Sequence, residues 1–387
     1  MMMHLINKSN AFTEPTGASD PKLKSNAMTG MMNPRVTVNR QKLYENLVYL
    51  TEYLNARGIE VAAVTKAFSA WPELMEIYDS VENIRWYADA RLENFVDYPT
   101  SSVKERLLLR IPMISEAPQV IRQADISLNS EIETIRTLNE VGAQIDITHK
   151  IILMIDFGDL REGIFDDREL FEYVGEIKEM SHINLCGIGT NLTCYGGVLP
   201  TTEILQRMVD YRDALEKEFD IEIELISGGN SSSLYLLEEG QGFPEGVNML
   251  RIGEAYILGI ETAHGQPIPH MHQDAFTLFG EIIEYRDKPS MPIGETGLNA
   301  FGDKPTFVDR GIMKRGIIAL GKQDVDHTKI TPVDPRLEVI GSSSDHMIID
   351  FTKAADDYAL GGEVAFKMGY GSLLAVFTSK YIKKYII

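Results

Sequence analysis

Positive charge, cysteine and long apolar runs are all scarce in this chain of 387 residues. Lysine and arginine number 37 against 57 aspartates and glutamates, for a formal net charge of −20. So few basic groups argue against nucleic acid or an anionic membrane as the main partner, because phosphate needs clustered lysine and arginine. A small cationic substrate suits the balance better. The only cysteines are Cys186 and Cys194, too few for a disulfide framework, which points to a reducing cytoplasm. No apolar run approaches the roughly 18 residues of a membrane-spanning helix. The first 33 residues are polar, scattered with glycine, proline, serine and asparagine. They lack a signal-peptide core and read as a disordered leader or a misassigned start.

Beyond this segment the chain is rhythmic. Short apolar segments that suit buried parallel strands alternate with amphipathic helical stretches such as DDRELFEYVGEIKEM and TEILQRMVDYRDALEKEF. The strand candidates end at Lys66, Ala90, Arg110, Ser130, Asp156, Asn191, Gly229 and Gly253. Eight such units over about 200 residues fit an α/β fold of the (β/α)8 TIM-barrel type, spanning residues 34–268. An open doubly wound sheet is the competing arrangement. From residue 269 to 387 the rhythm changes to strand-like segments with turns rich in glycine, proline and aspartate, LLAVFTSKYIKKYII among them. This second part reads as a C-terminal all-β domain. The early strand RVTVN has no place in the barrel and is free to pair with it.

A barrel builds its active site at the carboxyl ends of its strands. Here those ends carry Lys66, Asp89, Arg110, Asn129, Asp156 with Arg161 beyond it, Asn191, Asn230 and Arg251. Lys66 closes VAAVTK, with apolar neighbours on both sides. Desolvation lowers the pKa of such an amine and frees it for a Schiff base; the alternative is a lysine that snorkels out at a strand end. The segment SGGNSSS, Ser227–Ser233, offers N–H and hydroxyl groups to an anion, although serine and asparagine are also ordinary helix caps. An amine and an anion cradle together suggest pyridoxal 5'-phosphate (PLP), a carbonyl cofactor that carries a phosphate.

The motifs VTKAF (Val64–Phe68), ILMIDFGDLREGIF (Ile152–Phe165), GIGTNLTCYGG (Gly187–Gly197), ISGGNSSSLYLL (Ile226–Leu237) and LRIGEAYILG (Leu250–Gly259) occur in order. With GKQDVD and SSDH in the second part, the chain resembles the PLP-dependent alanine racemase family, and within it the ornithine racemase branch. The resemblance implies that Lys66 carries the cofactor and takes the α-proton on one face of the substrate. It implies that Asn230, Ser231, Gly253 and Glu254 surround the phosphate, with Tyr370 of MGYGSLL as a further contact. Arg161 is implied near the phenolic oxygen and the substrate carboxylate. Arg251 is implied to face the ring nitrogen. Because an arginine holds its proton, that nitrogen stays unprotonated, the ring is a weaker electron sink, and transamination is disfavoured.

The departures bear on the substrate and on the second base. Where the family places a tyrosine from the partner subunit, GKQDVD holds Lys322. The family's carbamylated lysine aligns with Met154, and its ring-stacking histidine with Asn191. The segment that shapes the alanine pocket reads Ser343-Ser344-Asp345, followed by His346. The opposite-face base is therefore open among Lys322, Asp345, His346, Cys194 and Tyr195. Cys194 also reads, and more simply, as a small buried hydrophobe, and His346 as a surface residue. A longer, more polar pocket with Asp345, Asp324 or Glu254 to meet a terminal ammonium favours ornithine, then lysine, over alanine. A decarboxylase on the same fold is the competing enzyme class; a non-catalytic PLP carrier and a purely structural barrel compete from outside enzymology. The family also implies a head-to-tail homodimer with a shared site.

Overall fold

Valine, isoleucine, leucine and alanine fill the short strand segments on both faces, the composition expected where helices cover one side and a packed interior the other. The computed structural model describes residues 30–387 apart from 239 and 241. Most of the expected leader, residues 1–29, lies outside the described residues. The strand β1, Arg35–Val38, precedes the helix Arg40–Asn55, which Asn39 caps through the Lys42 N–H. Eight parallel strands come next: β2 Glu60–Val64, β3 Ile84–Asp89, β4 Glu105–Leu108, β5 Ile126–Asn129, β6 His149–Met154, β7 Ile183–Gly189, β8 Leu225–Asn230 and β9 Met249–Ile252. They pair in chain order, and β9 returns to β2 with Glu60 opposite Met249 and Ala63 opposite Ile252, which closes the barrel. The open-sheet alternative is thereby excluded.

Alternation along each strand sorts its side chains. Ala62, Val64, Trp86, Leu107, Leu128, Ile152, Met154 and Met249 fill the barrel interior. Val61, Ala63, Tyr87, Leu108, Ile151, Leu153 and Ile188 belong to the larger core beneath the helices. Asn129 is on this outer side as well, buried and donating to the Ser127 hydroxyl and carbonyl.

Seven further strands lie in the described residues of the second part: β10 Phe276–Pro289, β11 Ile312–Ile318, β12 Ile330–Pro332, β13 Glu338–Ser342, β14 Met347–Asp350, β15 Glu363–Met368 and β16 Lys383–Ile386. They form a second sheet whose main path runs β12-β15-β10-β11-β14-β13. Strand β1 joins it, antiparallel to β10 and parallel to β16.

One segment departs from expectation. LLAVFTSKYIKKYII is not a continuous strand: Tyr370–Thr378 is a helix, and only Lys383–Ile386 is extended. Its buried residues Ser372, Leu373, Val376 and Phe377 recur at helical spacing, a period masked by a run that is apolar almost throughout. Phe377 packs at 6.4 Å between ring centroids on Phe68 and at 6.1 Å on Trp71. The C-terminal helix thus rests on the turn that includes Lys66.

Candidate active site

At the carboxyl end of the barrel strands lies a cavity of about 720 Å³, within the usual size range for small-molecule sites. Lys66, Arg161, Asn191, Cys194, Asn230, Ser231, Arg251, Gly253, Glu254 and Tyr370 all line it. All but Tyr370 come from the ends of barrel strands or the loops after them, and Tyr370 from the helix that returns from the second sheet. Lys322 and Asp345 do not line it. Lys322 sits in the second part of the chain with its ammonium 3.7 Å from the centre of the Phe301 ring. Asp345 is exposed and accepts from Gln323 Nε2 at 3.0 Å and Ser344 Oγ at 2.7 Å. Asp324 is buried and accepts from Ser379, so its carboxylate serves the second part of the chain and not the cavity.

Each side chain is aimed by its local backbone. After β2 the chain makes a single 3₁₀ turn, Lys66–Phe68, and then places Ser69 and Ala70 in the left-handed region at φ 51° and 47°. Left-handed backbone costs a non-glycine residue about 1–2 kcal/mol, and such costs concentrate at functional sites. Behind Lys66, the Thr65 hydroxyl donates to Asp89 at 2.7 Å and meets the Tyr98 hydroxyl at 2.8 Å. Asp89 also takes Arg91 N–H and Asn94 Nδ2. It is buried, does not line the cavity, and supports the β2 and β3 ends from beneath.

The loop after β6 folds back on itself. Asp156 accepts the N–H groups of Gly158 and Leu160, and at Gly163 (φ 134°) a Cβ would stand 2.5 Å from the Asp156 nitrogen. Only glycine fits there, and the turn delivers Arg161 and Glu162 to the cavity. Asp159 then ties this loop to the next: it accepts from Tyr195 N at 2.8 Å, Val198 N at 3.0 Å and Cys194 N at 3.2 Å. Burial works against its carboxylate, but these N–H groups win and hold it below its ordinary pKa.

The electrostatics of the cavity are uneven. Burial lowers the Lys66 pKa, and Arg161 lowers it further. Burial also brings Arg251 down to about 10, while it donates to the Thr190 carbonyl at 2.8 Å, to Asn191 Oδ1 at 3.3 Å and to the Ser227 hydroxyl. Burial raises the Glu254 carboxyl to about 7, with Lys66 pulling the other way. At Arg161, burial is outweighed by the ion pair with Glu162, and the guanidinium stays above its ordinary value.

These residues fit a phosphate-bearing carbonyl compound. They offer an amine that burial makes easier to deprotonate than an ordinary lysine, two guanidinium groups, and the amide and hydroxyl of Asn230 and Ser231. Gly253 packs with its Cα side against Val64, where a Cβ would lie 3.0 Å from the Val64 Cβ, so backbone alone faces that part of the site.

Residues 38–259 match the family model described as alanine racemase, N-terminal domain. The chain belongs to the alanine racemase family. It is similar to the ornithine racemase of Acetoanaerobium sticklandii, with 43% identity over 92% of this chain and 100% of that protein. It is also similar to the lysine racemase of Thermotoga maritima, with 38% identity over 92% of this chain and 98% of the relative. Among solved structures, the alanine racemase of Bartonella henselae with covalently bound pyridoxal phosphate superposes with a TM-score of 0.69. The match covers 92% of this chain and 100% of that one at 16% identity, a likeness of fold. The alanine racemase family acts on small amino acids with pyridoxal phosphate, and its curated relatives here are racemases.

Glu162 and Asp159 are site residues that the sequence did not single out. Both lie inside the motif ILMIDFGDLREGIF, but their roles depend on Asn191 and on Cys194–Val198, about thirty residues later in the chain. The available signal was an acidic residue directly beside a candidate arginine.

Proposed function

We propose that this chain interconverts L- and D-ornithine, with lysine as a second substrate, using pyridoxal 5'-phosphate carried on Lys66. The observation that carries the reading is one desolvated lysine sharing a cavity with Arg161, Arg251, Asn230 and Ser231, in a chain 43% identical to an ornithine racemase. When bound, the cofactor withdraws electrons from the substrate and loosens its Cα–H bond.

The chain's own residues do the rest. Lys66 anchors the cofactor and moves the α-proton on one face, a task suited to an amine that burial has made easier to deprotonate. Arg161 neutralises anionic oxygen beside it. Arg251, which holds its proton, would face the ring nitrogen of the bound cofactor and favour its unprotonated form. Asn230, Ser231, the backbone at Gly253 and Glu254, and the Tyr370 hydroxyl would hold the phosphate. Glu254, whose carboxyl lines the cavity and is coupled in charge to Lys66, meets the distal ammonium of a basic amino acid.

Racemisation requires a proton carrier on the other face as well. Cys194 is available within the chain, exposed and 3.5 Å from Asn230 Nδ2. Lys322 and Asp345 lie outside the cavity of their own chain, so either would serve as this carrier only in a head-to-tail homodimer with a shared site, the arrangement that the family resemblance implies. The two unpaired cysteines suit a cytoplasmic setting.

Incubating the enzyme with L-ornithine, L-lysine and L-alanine in deuterated water tests the reading. Expected are α-deuteration and D-enantiomer without carbon dioxide release, and a higher kcat/KM for ornithine than for alanine. A strong preference for alanine would overturn the substrate, and release of carbon dioxide would overturn the reaction. Full activity of a monomer at high dilution would overturn the shared site.

A further inference from the structure

We propose that Glu162 is a positioning residue that fixes Arg161 directly and sets, through Asn191, the hydrogen-bond direction of Arg251 and Asn230. The inference rests on the reading of this cavity as a pyridoxal phosphate racemase site. The Glu162 side chain is 17% exposed and faces the cavity. It accepts both Nε and Nη2 of Arg161, and Asn191 Nδ2 at 3.2 Å. On the other side of the same amide, Asn191 Oδ1 accepts Asn230 Nδ2 at 2.9 Å and Arg251 Nη2 at 3.3 Å.

The chemistry of these groups leaves one consistent arrangement. A carboxylate only accepts, a guanidinium only donates, and an amide does one at each end. With Glu162 on its one side, Asn191 must turn its NH₂ towards the carboxylate and its oxygen towards Arg251 and Asn230. Without the carboxylate the amide loses the acceptor that holds its NH₂, and only the two donors on its other side fix its direction. Glu162 therefore acts at a distance on the residue that faces the ring nitrogen and on one that receives the phosphate.

Charge follows the same line. Arg251 is buried without a carboxylate of its own, and Glu162 is the nearby carboxylate that favours its charged form. The titratable groups that line the cavity with Glu162 are Lys66, Arg91, Arg110, Arg161, Cys194, Arg251, Glu254 and Tyr370. Removal of the carboxylate leaves an excess of positive charge near Lys66, which favours loss of a proton from the nitrogen there.

The test compares Glu162→Gln, Glu162→Asp and Asn191→Ala in the holoenzyme. Glu162→Gln keeps the size and an acceptor but not the charge. It is expected to lower kcat/KM about ten- to hundredfold, the loss expected for a charge-assisted hydrogen bond. It should also move the pH titration of the bound cofactor's absorbance to lower pH and weaken uptake of pyridoxal phosphate by the apo-protein. Glu162→Asp restores part of each. The double variant Glu162→Gln/Asn191→Ala is expected to lose less than the product of the two single losses, because part of the effect of Glu162 passes through the Asn191 amide. Wild-type kcat/KM with an unmoved titration in Glu162→Gln would overturn the proposal, as would fully multiplicative losses in the double variant. If Glu162→Gln does not fold, the Asp variant and the Asn191→Ala titration carry the same decision. A wild-type chain that takes up no pyridoxal phosphate would instead defeat the cofactor reading itself.

Discussion

The two ends of the barrel are built from the same eight strands and both carry paired charges, yet at one end some charged side chains are left without a partner. Where the strands begin, charges are paired. Arg85 bridges Glu60 and Glu224, and Glu105 accepts both Lys150 Nζ at 2.6 Å and Trp86 Nε1 at 2.9 Å. Where the strands end, Lys66 and Glu254 line a cavity with no hydrogen bond or ion pair to either side chain among the described residues. Charges held out of water without partners cost stability, and that cost is carried on the side where chemistry needs reactive groups. The contrast is the usual division of labour in this architecture, with stability at one face and function at the other.

A matched pair of lysine substitutions would break or sharpen this contrast. Lys66→Met fills the same space but removes the amine, and is expected to reduce racemisation by about 10³-fold or more. The apo-protein should meanwhile unfold no more easily than wild type, because a desolvated unpaired charge has gone. Chiral chromatography and urea unfolding read the two halves of this outcome. A large loss of apo stability would mean that Lys66 is a structural residue.

An effect of intermediate size belongs to Glu254. Burial raises its folded-state pKa from 4.5 to about 7, so the folded apo-protein binds this proton more tightly than the unfolded chain does. Its contribution to stability is then fully present below about pH 4.5 and lost as pH rises through about 7. Relative to Glu254→Gln, the wild-type apo-protein should lose about 3 kcal/mol across that interval. Unfolding at about pH 5 and about pH 8 measures the difference, and parallel curves would show the carboxyl to be solvated.

The smallest effect is expected at the paired end. Lys150→Met leaves Glu105 with Trp86 and solvent, since both partners of the ion pair are part-exposed. It should cost about 1 kcal/mol or less and change kcat/KM by no more than about twofold. A larger loss of activity would mean that the two ends are coupled.

Much of the barrel and of its site was legible in the chain. The eight strands and the polar residues at their ends could be read because burial on both faces demands apolar runs, and a polar group at the end of such a run stands out. Lys66, Asn230 and Arg251 were visible for that reason, whereas Ser231 stood out within SGGNSSS and Gly253 only through the family resemblance. The helix Tyr370–Thr378 was not, because its apolar residues are nearly continuous and conceal their period. Asp159 and Glu162 were not, because surface loops are full of acidic residues and the one local signal, Glu162 beside Arg161, does not tell an inward carboxylate from an exposed one. Asp324 looked available for a substrate ammonium, and only its bond to Ser379 takes it out of consideration.

The sequence by itself determined the barrel, the lysine at the end of β2 and the set of polar groups around it, because these follow from patterns a few residues long. Which of those charges would be paired was decided by tertiary structure alone. Glu162 meets Asn191, Arg251 meets Thr190, and Asp159 meets Cys194–Val198 across separations of about thirty to sixty residues. Electrostatic and hydrogen-bond energies depend on distance and burial, and those exist only once the barrel has closed.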